Sequence, residues 1–332
     1  MTLSARWKKI FFSEMNRHRY LAITGGVGGA KLALGLCNLL DGDSLAFVVN
    51  TGDDFQHLGL HISPDIDTLV YTLSGESNTE TGWGRRDESW QFMEALTALG
   101  GENWFRLGDR DLAMHIERTR RLAAGESLTC VTAKLASSLG IEHRILPMSD
   151  DPVHTRVLTD SGAMDFQHYF VRDRCEPVVS GFEFGNVDSA HINPEIDRYL
   201  ADPALAGVIL CPSNPFVSVD PILAVPGMRQ RLEQCPAPVI AVSPVVGGAA
   251  IKGPTVKMMK ELSIPNTASW VAGHYRQFLN GFVLDNEDTG LIADIEALGI
   301  KVSLTQTVME SLDDRVKLAR VCLGLIEQSQ TS

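Results

Sequence analysis

The chain of 332 residues is long enough for two ordinary domains, or for one large domain carrying an insertion. Hydrophobic residues make up 44% and charged residues 21%, which provides a sizeable core and excludes wholesale disorder. With 29 Lys+Arg against 41 Asp+Glu the net charge is −12, so a general nucleic-acid binder is disfavoured, while a small anion can still be held by backbone N–H groups, a few basic side chains or a metal.

In chain order, residues 1–19 come first and are net basic, with Arg6, Lys8, Lys9, Arg17 and Arg19 against Glu14. No apolar segment follows them, so the expectation is a loose extension ahead of the fold rather than a signal peptide. No stretch approaches the ~18 to 20 apolar residues that span a bilayer. The 6 cysteines are dispersed, with no C-x-x-C pair, as expected of small buried hydrophobes in a reducing compartment. The expected location is the cytoplasm, with no membrane partner.

Tyr20–Thr24 is a short apolar run that stops at the glycines of Gly25-Gly26-Val27-Gly28-Gly29-Ala30-Lys31, after which leucines recur at helical spacing. This reads as strand, glycine turn, helix. Leu45–Asn50 is a continuous apolar strand of the kind that parallel sheets bury. From Ser74 to Gly140 three helical stretches follow, Asp87–Leu99, Asp109–Ala124 and Leu128–Leu139, closed by Gly100, Gly125 and Gly140, with Asp109 expected to cap the middle one. Thr155–Thr159 and Phe166–Val171, joined through Ser161-Gly162, read as a β-hairpin. Strand-like runs recur at 207–211, 238–242, 281–284 and 301–304, and Gln306–Glu327 reads as a closing helix. The fold class expected is α/β: a three-layer α/β/α Rossmann-like core (20–73 and 141–328) with a mainly parallel sheet, a helical insertion (74–140) and an appended β-hairpin.

The first glycine turn fails two familiar templates. The dinucleotide fingerprint needs glycine where Lys31 stands, which argues against a nicotinamide-dependent oxidoreductase, and the P-loop needs Gly-Lys-Ser/Thr. Glycines between a strand and a helix still let a backbone approach a ligand, and a helix N-terminus favours anions; a tight turn without ligand uses the same residues. Asn50-Thr51-Gly52-Asp53-Asp54 follows the second strand, at the end of the sheet where open α/β folds bind ligands. Ser63-Pro64-Asp65-Ile66-Asp67-Thr68 comes soon after. Asp53, Asp54, Asp65 and Asp67 would repel one another unless solvated or bridged by a cation, and hard carboxylate oxygens beside a phosphorylated ligand suit Mg²⁺. The alternative is that they cap helices and turns. Asp67 is expected to be an exposed turn carboxylate that contributes little to the core.

Three other turns carry polar groups: Leu107-Gly108-Asp109-Arg110-Asp111 with Arg106 before it, Pro147-Met148-Ser149-Asp150-Asp151-Pro152, and Cys211-Pro212-Ser213-Asn214-Pro215. Ser213 and Asn214 either face a nucleobase or form a rigid structural turn. Lys252, in a second glycine-rich turn, offers a charge for a phosphate. His115 and His143 read as packing or surface residues, and no pairing suggests a covalent nucleophile. Together these residues point to a Mg²⁺-assisted enzyme acting on a phosphorylated, nucleotide-like ligand.

The ordered set of turns, with Val242-Ser243-Pro244 added, resembles the CofD/FbiA family, the 2-phospho-L-lactate or phosphoenolpyruvate transferases of coenzyme F-420 biosynthesis, from about Tyr20 to the C-terminal helix. The resemblance implies that a three-carbon phospho-acid passes from its guanosine diphosphate-activated form to the ribityl hydroxyl of the deazaflavin Fo, releasing GMP. It implies Asp53 and Asp67 as catalytic residues, Asp53, Asp65 and Asp67 as Mg²⁺ ligands, and Asp67 and Arg106 as Fo contacts. It further implies that Gly25, Gly26, Gly28, Gly29, Lys31, Ser213 and Asn214 hold the guanosine diphosphate part, and that the protein is a homodimer. The alternative is a nucleotide- or sugar-nucleotide-binding regulator of the gluconeogenesis-factor type, which shares the glycine loop and an acidic turn.

Overall fold

The computed structural model describes residues 18–78, 84–250 and 253–330, so most of the basic extension and Lys252 lie outside the described residues. Seven strands form the central sheet: β1 (Arg19–Thr24), β2 (Leu45–Val49), β3 (Arg144–Pro147), β4 (Leu205–Leu210), β5 (Val239–Val242), β6 (Gly281–Asp285) and β7 (Lys301–Thr305). Their spatial order is β7-β6-β5-β4-β1-β2-β3, and every pairing is parallel. The continuous apolar runs follow from burial on both faces. Along β1, Tyr20 and Ala22 enter one core and Leu21 and Ile23 the other. The expected Rossmann-like architecture is the one the chain adopts.

Helices α1 (Gly26–Cys37), α2 (Pro64–Leu73) and α6 (Leu312–Gln330) cover the first face, supplying Leu32, Leu36, Leu69, Leu318 and Ile326 to its core. The 194–200, 228–233, 255–261 and 268–274 helices cover the other face, together with an antiparallel three-stranded sheet. Between β2 and β3 lie α3 (Gln91–Ala98), α4 (Asp109–Ala123) and α5 (Leu128–Ser138). Each is followed by its expected glycine in the left-handed region, with φ of 78°, 88° and 76° at Gly100, Gly125 and Gly140.

Several local expectations are corrected. Asp109 does not cap its own helix: Gly108 is the N-cap, and the Asp109 carboxylate accepts from Ser89 Oγ and from the Gln91 and Phe92 amides at the start of α3. Glu88, before α3, accepts in turn from the Arg110 and Asp111 amides of α4. The two helices cap each other, and α3 starts at Gln91 rather than Asp87. The second hairpin strand is Gly162–Asp165, and Phe166–Arg172 is helical, because Gly162 (φ 107°) turns the chain early and pairing with His154–Thr159 ends at Asp165. Val179–Gly185 completes that small sheet. β3 has no counterpart among the expected strands, since its apolar run is only Ile145-Leu146. Finally, α6 begins at Leu312, not Gln306.

Candidate active site

The strand order reverses between β1 and β4, which makes the carboxyl ends of these strands the topological switch point where open α/β sheets take ligands. The glycine turn leaves β1 there, and Cys211–Asn214 leaves β4. The two loops are locked together. Ser213 Oγ accepts from the Gly25 N–H (3.1 Å) and donates to the Gly25 carbonyl (2.8 Å), and Cys211 N donates to Ile23 O at 2.9 Å. A Cβ on Gly28 would stand 2.5 Å from Pro212 O, and one on Gly29 would meet Ser213 Oγ at 2.7 Å. These glycines are therefore required by protein packing, whatever ligand approaches. Gly26 alone needs glycine for its backbone, at φ 67°.

The acidic residues come together beside this turn. Pro64 occupies the first helical position of α2, so Asp65 and Asp67 fall in its first turn. Asp65 reaches across to accept the Gly26 N–H at the start of α1 (2.6 Å). The Asn50 amide, at the end of β2, bridges Asp65 Oδ2 (2.9 Å) and Asp53 Oδ1 (3.2 Å). Gln167 donates to Asp53 Oδ2 at 3.3 Å. Asp54 accepts from Ser63 Oγ (2.7 Å) and sits 3.0 Å from His61 Nε2, but its Oδ1 is buried without a partner. Burial, and then the charges of Asp65 and Asp54, push the Asp53 carboxyl well above the usual carboxylate range. Burial likewise raises Asp54, and raises Asp65 to about 6 against the opposing hydrogen bonds from Asn50 and Gly26. A cluster that resists ionisation this way binds either protons or a compensating cation.

Asp67 departs from expectation. It is 5% exposed, and both its oxygens are taken by the guanidinium of Arg118, itself 1% exposed. Arg118 Nη1 also lies 3.2 Å from His115 Nδ1, and His115 Nε2 lies 3.2 Å from Asp111 Oδ1, which accepts from Tyr71 OH. The sequence reading missed Arg118 because one arginine in a charged helix reads as surface. Its signal was the i, i+3 and i, i+4 alignment of Asp111, His115 and Arg118 on one face of α4.

The remaining candidates have other partners. Lys31 Nζ donates to Met309 O at 2.7 Å. Asn214 Oδ1 accepts from the Phe216 and Val217 amides, which makes it part of a structural turn. Asp150 accepts from Thr129 N and Asp151 from His191 N, so the Pro147–Pro152 turn ties neighbouring segments together. Arg106 lies over the Trp90 ring at 4.1 Å, beside a hollow of about 670 Å³ that Met93, Thr97 and Asn103 also line and the four aspartates do not. Half-buried rings adjoin both in sequence, Phe55 following Asp54 and Phe105 preceding Arg106. Phe55 contacts Phe105 edge-on with centroids 4.9 Å apart, and Trp104 lies 4.7 Å from His168.

Hard oxygens from Asp53 and Asp65 joined through Asn50, with an unpartnered Asp54 oxygen nearby, fit a cation that keeps several waters and takes few protein ligands, as Mg²⁺ does. Among the described residues, no group of three or more His, Cys, Asp or Glu side chains is placed to hold a metal ion. No helix among the described residues is long and apolar enough to cross a membrane.

Residues 21–308 match the family described as 2-phospho-L-lactate transferase CofD. A phosphoenolpyruvate transferase of Streptomyces griseus subsp. griseus is 38% identical over 316 residues, covering 93% of this chain and 99% of the relative. A 2-phospho-L-lactate transferase of Methanosarcina acetivorans is 38% identical over 308 residues, covering 92% and 99%. A crystal structure of a UPF0052 family member from Bacillus halodurans shares the fold, with a TM-score of 0.60 at 14% identity over 92% of this chain and 99% of that one. The chain therefore belongs to the 2-phospho-L-lactate transferase CofD family and is a transferase.

Proposed function

We propose that the protein transfers phosphoenolpyruvate or 2-phospho-L-lactate from its guanosine diphosphate-activated form to the ribityl hydroxyl of Fo. The hydroxyl oxygen attacks the phosphorus bearing the three-carbon acid, the P–O bond to GMP breaks, and the hydroxyl proton passes to a carboxylate. The observation that carries this reading is the convergence of Asp53 and Asp65, through Asn50, beside the N-terminus of α1 at the switch point.

Phosphoryl transfer needs positioning and charge neutralisation more than a covalent nucleophile. Asp53 is assigned as proton acceptor because burial and its neighbours raise its proton affinity. The diphosphate is assigned to the α1 N-terminus, where Asp65 already takes the Gly26 N–H and the following amides have no intrahelical acceptor. Ser213 serves by holding the two loops in register, and Asn214 by capping the turn that follows. Asp53 and Asp65 would hold Mg²⁺, which supplies neutralisation of the diphosphate charge. Asp67, expected as a third ligand, is instead assigned to the acceptor, since each of its oxygens keeps a second lone pair beyond Arg118. The rings of Phe55, Trp104, Phe105 and His168 offer a planar deazaflavin a stacking surface.

The test is to incubate the purified protein with Fo, then with Mg²⁺ and each activated acid in competition, including 3-phosphoglycerate. Retention of Fo and release of GMP are expected, and the preferred acid names the donor. No retained deazaflavin together with no GMP overturns the reading.

A further inference from the structure

We propose that Arg118 is the positioning residue of the acceptor side, fixing the Asp67 carboxylate through a buried chain that runs Tyr71–Asp111–His115–Arg118–Asp67. This rests on the proposed reading of Asp67 as the residue that meets the acceptor hydroxyl.

The geometry is specific. A guanidinium presents its donors in a rigid fork that matches a carboxylate, so a two-point contact sets the plane of the carboxylate as well as its position. Arg118 makes that contact while 1% exposed. Its remaining freedom is removed by the His61 carbonyl at 3.4 Å and His115 Nδ1 at 3.2 Å. The His115 ring thus stands between the Arg118 guanidinium and the Asp111 carboxylate, with Nε2 3.2 Å from Asp111 Oδ1. Tyr71, on the same helix as Asp67, closes the chain by donating to Asp111. α2 and α4 are thereby joined through the interior at both ends of the chain. A surface ion pair of the same composition would fix nothing, because two long side chains in water exchange partners.

The test is a kinetic double-mutant cycle with melting curves on the full chain: Arg118→Lys, Asp67→Asn and the double variant. Arg118→Lys keeps the charge and loses the fork. It is expected to lower kcat about 30-fold or more while KM for the activated donor stays within about threefold, because the donor binds on the other side of the cluster. In the Asp67→Asn background the same change is expected to have no further effect on kcat, since Arg118 acts only through Asp67. If Asp67→Asn does not fold, the cycle is run with Asp67→Glu, which keeps the charge and displaces the carboxylate. A merely structural arginine gives kcat losses that follow the melting temperatures. That outcome, or an Arg118→Lys variant with wild-type kcat, overturns the proposal. An active Arg118→Lys alongside an inactive Asp67→Asn removes only the positioning role, whereas a wild-type protein that transfers nothing removes the reading on which it rests.

Discussion

Asp53 and Asp67 stand in opposite electrostatic situations, and substitutions should separate them. Asp67 neutralises a buried guanidinium, so Asp67→Ala leaves Arg118 uncompensated and should destabilise the fold by about 3–5 kcal/mol in urea titration. The sequence alone suggests the contrary, a harmless exposed turn, because nothing in Ser63–Thr68 shows that a partner waits fifty residues away on another helix. Asp53 and Asp65 are carboxyls held against their charge. A group that binds its proton more tightly in the folded state stabilises the fold below the unfolded pKa and withdraws that contribution as pH rises through the folded one. For Asp65, raised from 3.8 to about 6, the window is pH 4 to 6 and the loss is up to roughly 3 kcal/mol. The metal-free protein should therefore melt lower at pH 7.5 than at pH 5.5. Asp53→Asn should melt higher than the parent at pH 7.5, and Mg²⁺ should raise the parent's melting temperature but not the variant's. A parent indifferent to both pH and Mg²⁺ would remove the cation from the account.

At the scale of elements, most core helices and strands were plain in the sequence, while β3, the Val179–Gly185 strand, the helical Phe166–Arg172 segment and the junctions were not. The strands bordering the site were legible because burial on both faces leaves uninterrupted runs such as Leu45–Val49, and the ends of α3, α4 and α5 were legible because left-handed glycines mark them. What escaped were pairings between segments distant in sequence. The carboxylate of Asp109 caps α3 rather than α4, and Glu88 returns the cap. Asp65 caps α1 from α2. A local rule assigns a cap to the nearest helix, and here tertiary contact decides otherwise. Asp109→Ala should cost about 1–2 kcal/mol, as lost caps do, and amide exchange should quicken first at Gln91–Ala98. Quickening first within Asp109–Ala123 would restore the local assignment.

Across the whole molecule, the sheet brings the functional turns together. β1, β2 and β4 are adjacent, so the turns that follow them, far apart in sequence, meet at one edge. The order of these turns made the family legible in the sequence; the use of the glycines for packing was not legible, because a close approach between two loops leaves no periodic trace. Gly29→Ala, which drives a methyl group into Thr24 and Ser213, should destabilise the protein by about 1–3 kcal/mol through overpacking and loosen both loops together. On the proposed reading, carboxylates at the carboxyl ends of these strands carry the transfer. The most direct measurement is the turnover of Asp53→Asn with Fo, activated donor and Mg²⁺, read as phosphodiester formed per GMP released. A fall of at least about 100-fold with Fo still bound is predicted, in the range usual for removing a group that acts in the transition state. Wild-type turnover in a folded Asp53→Asn would contradict it.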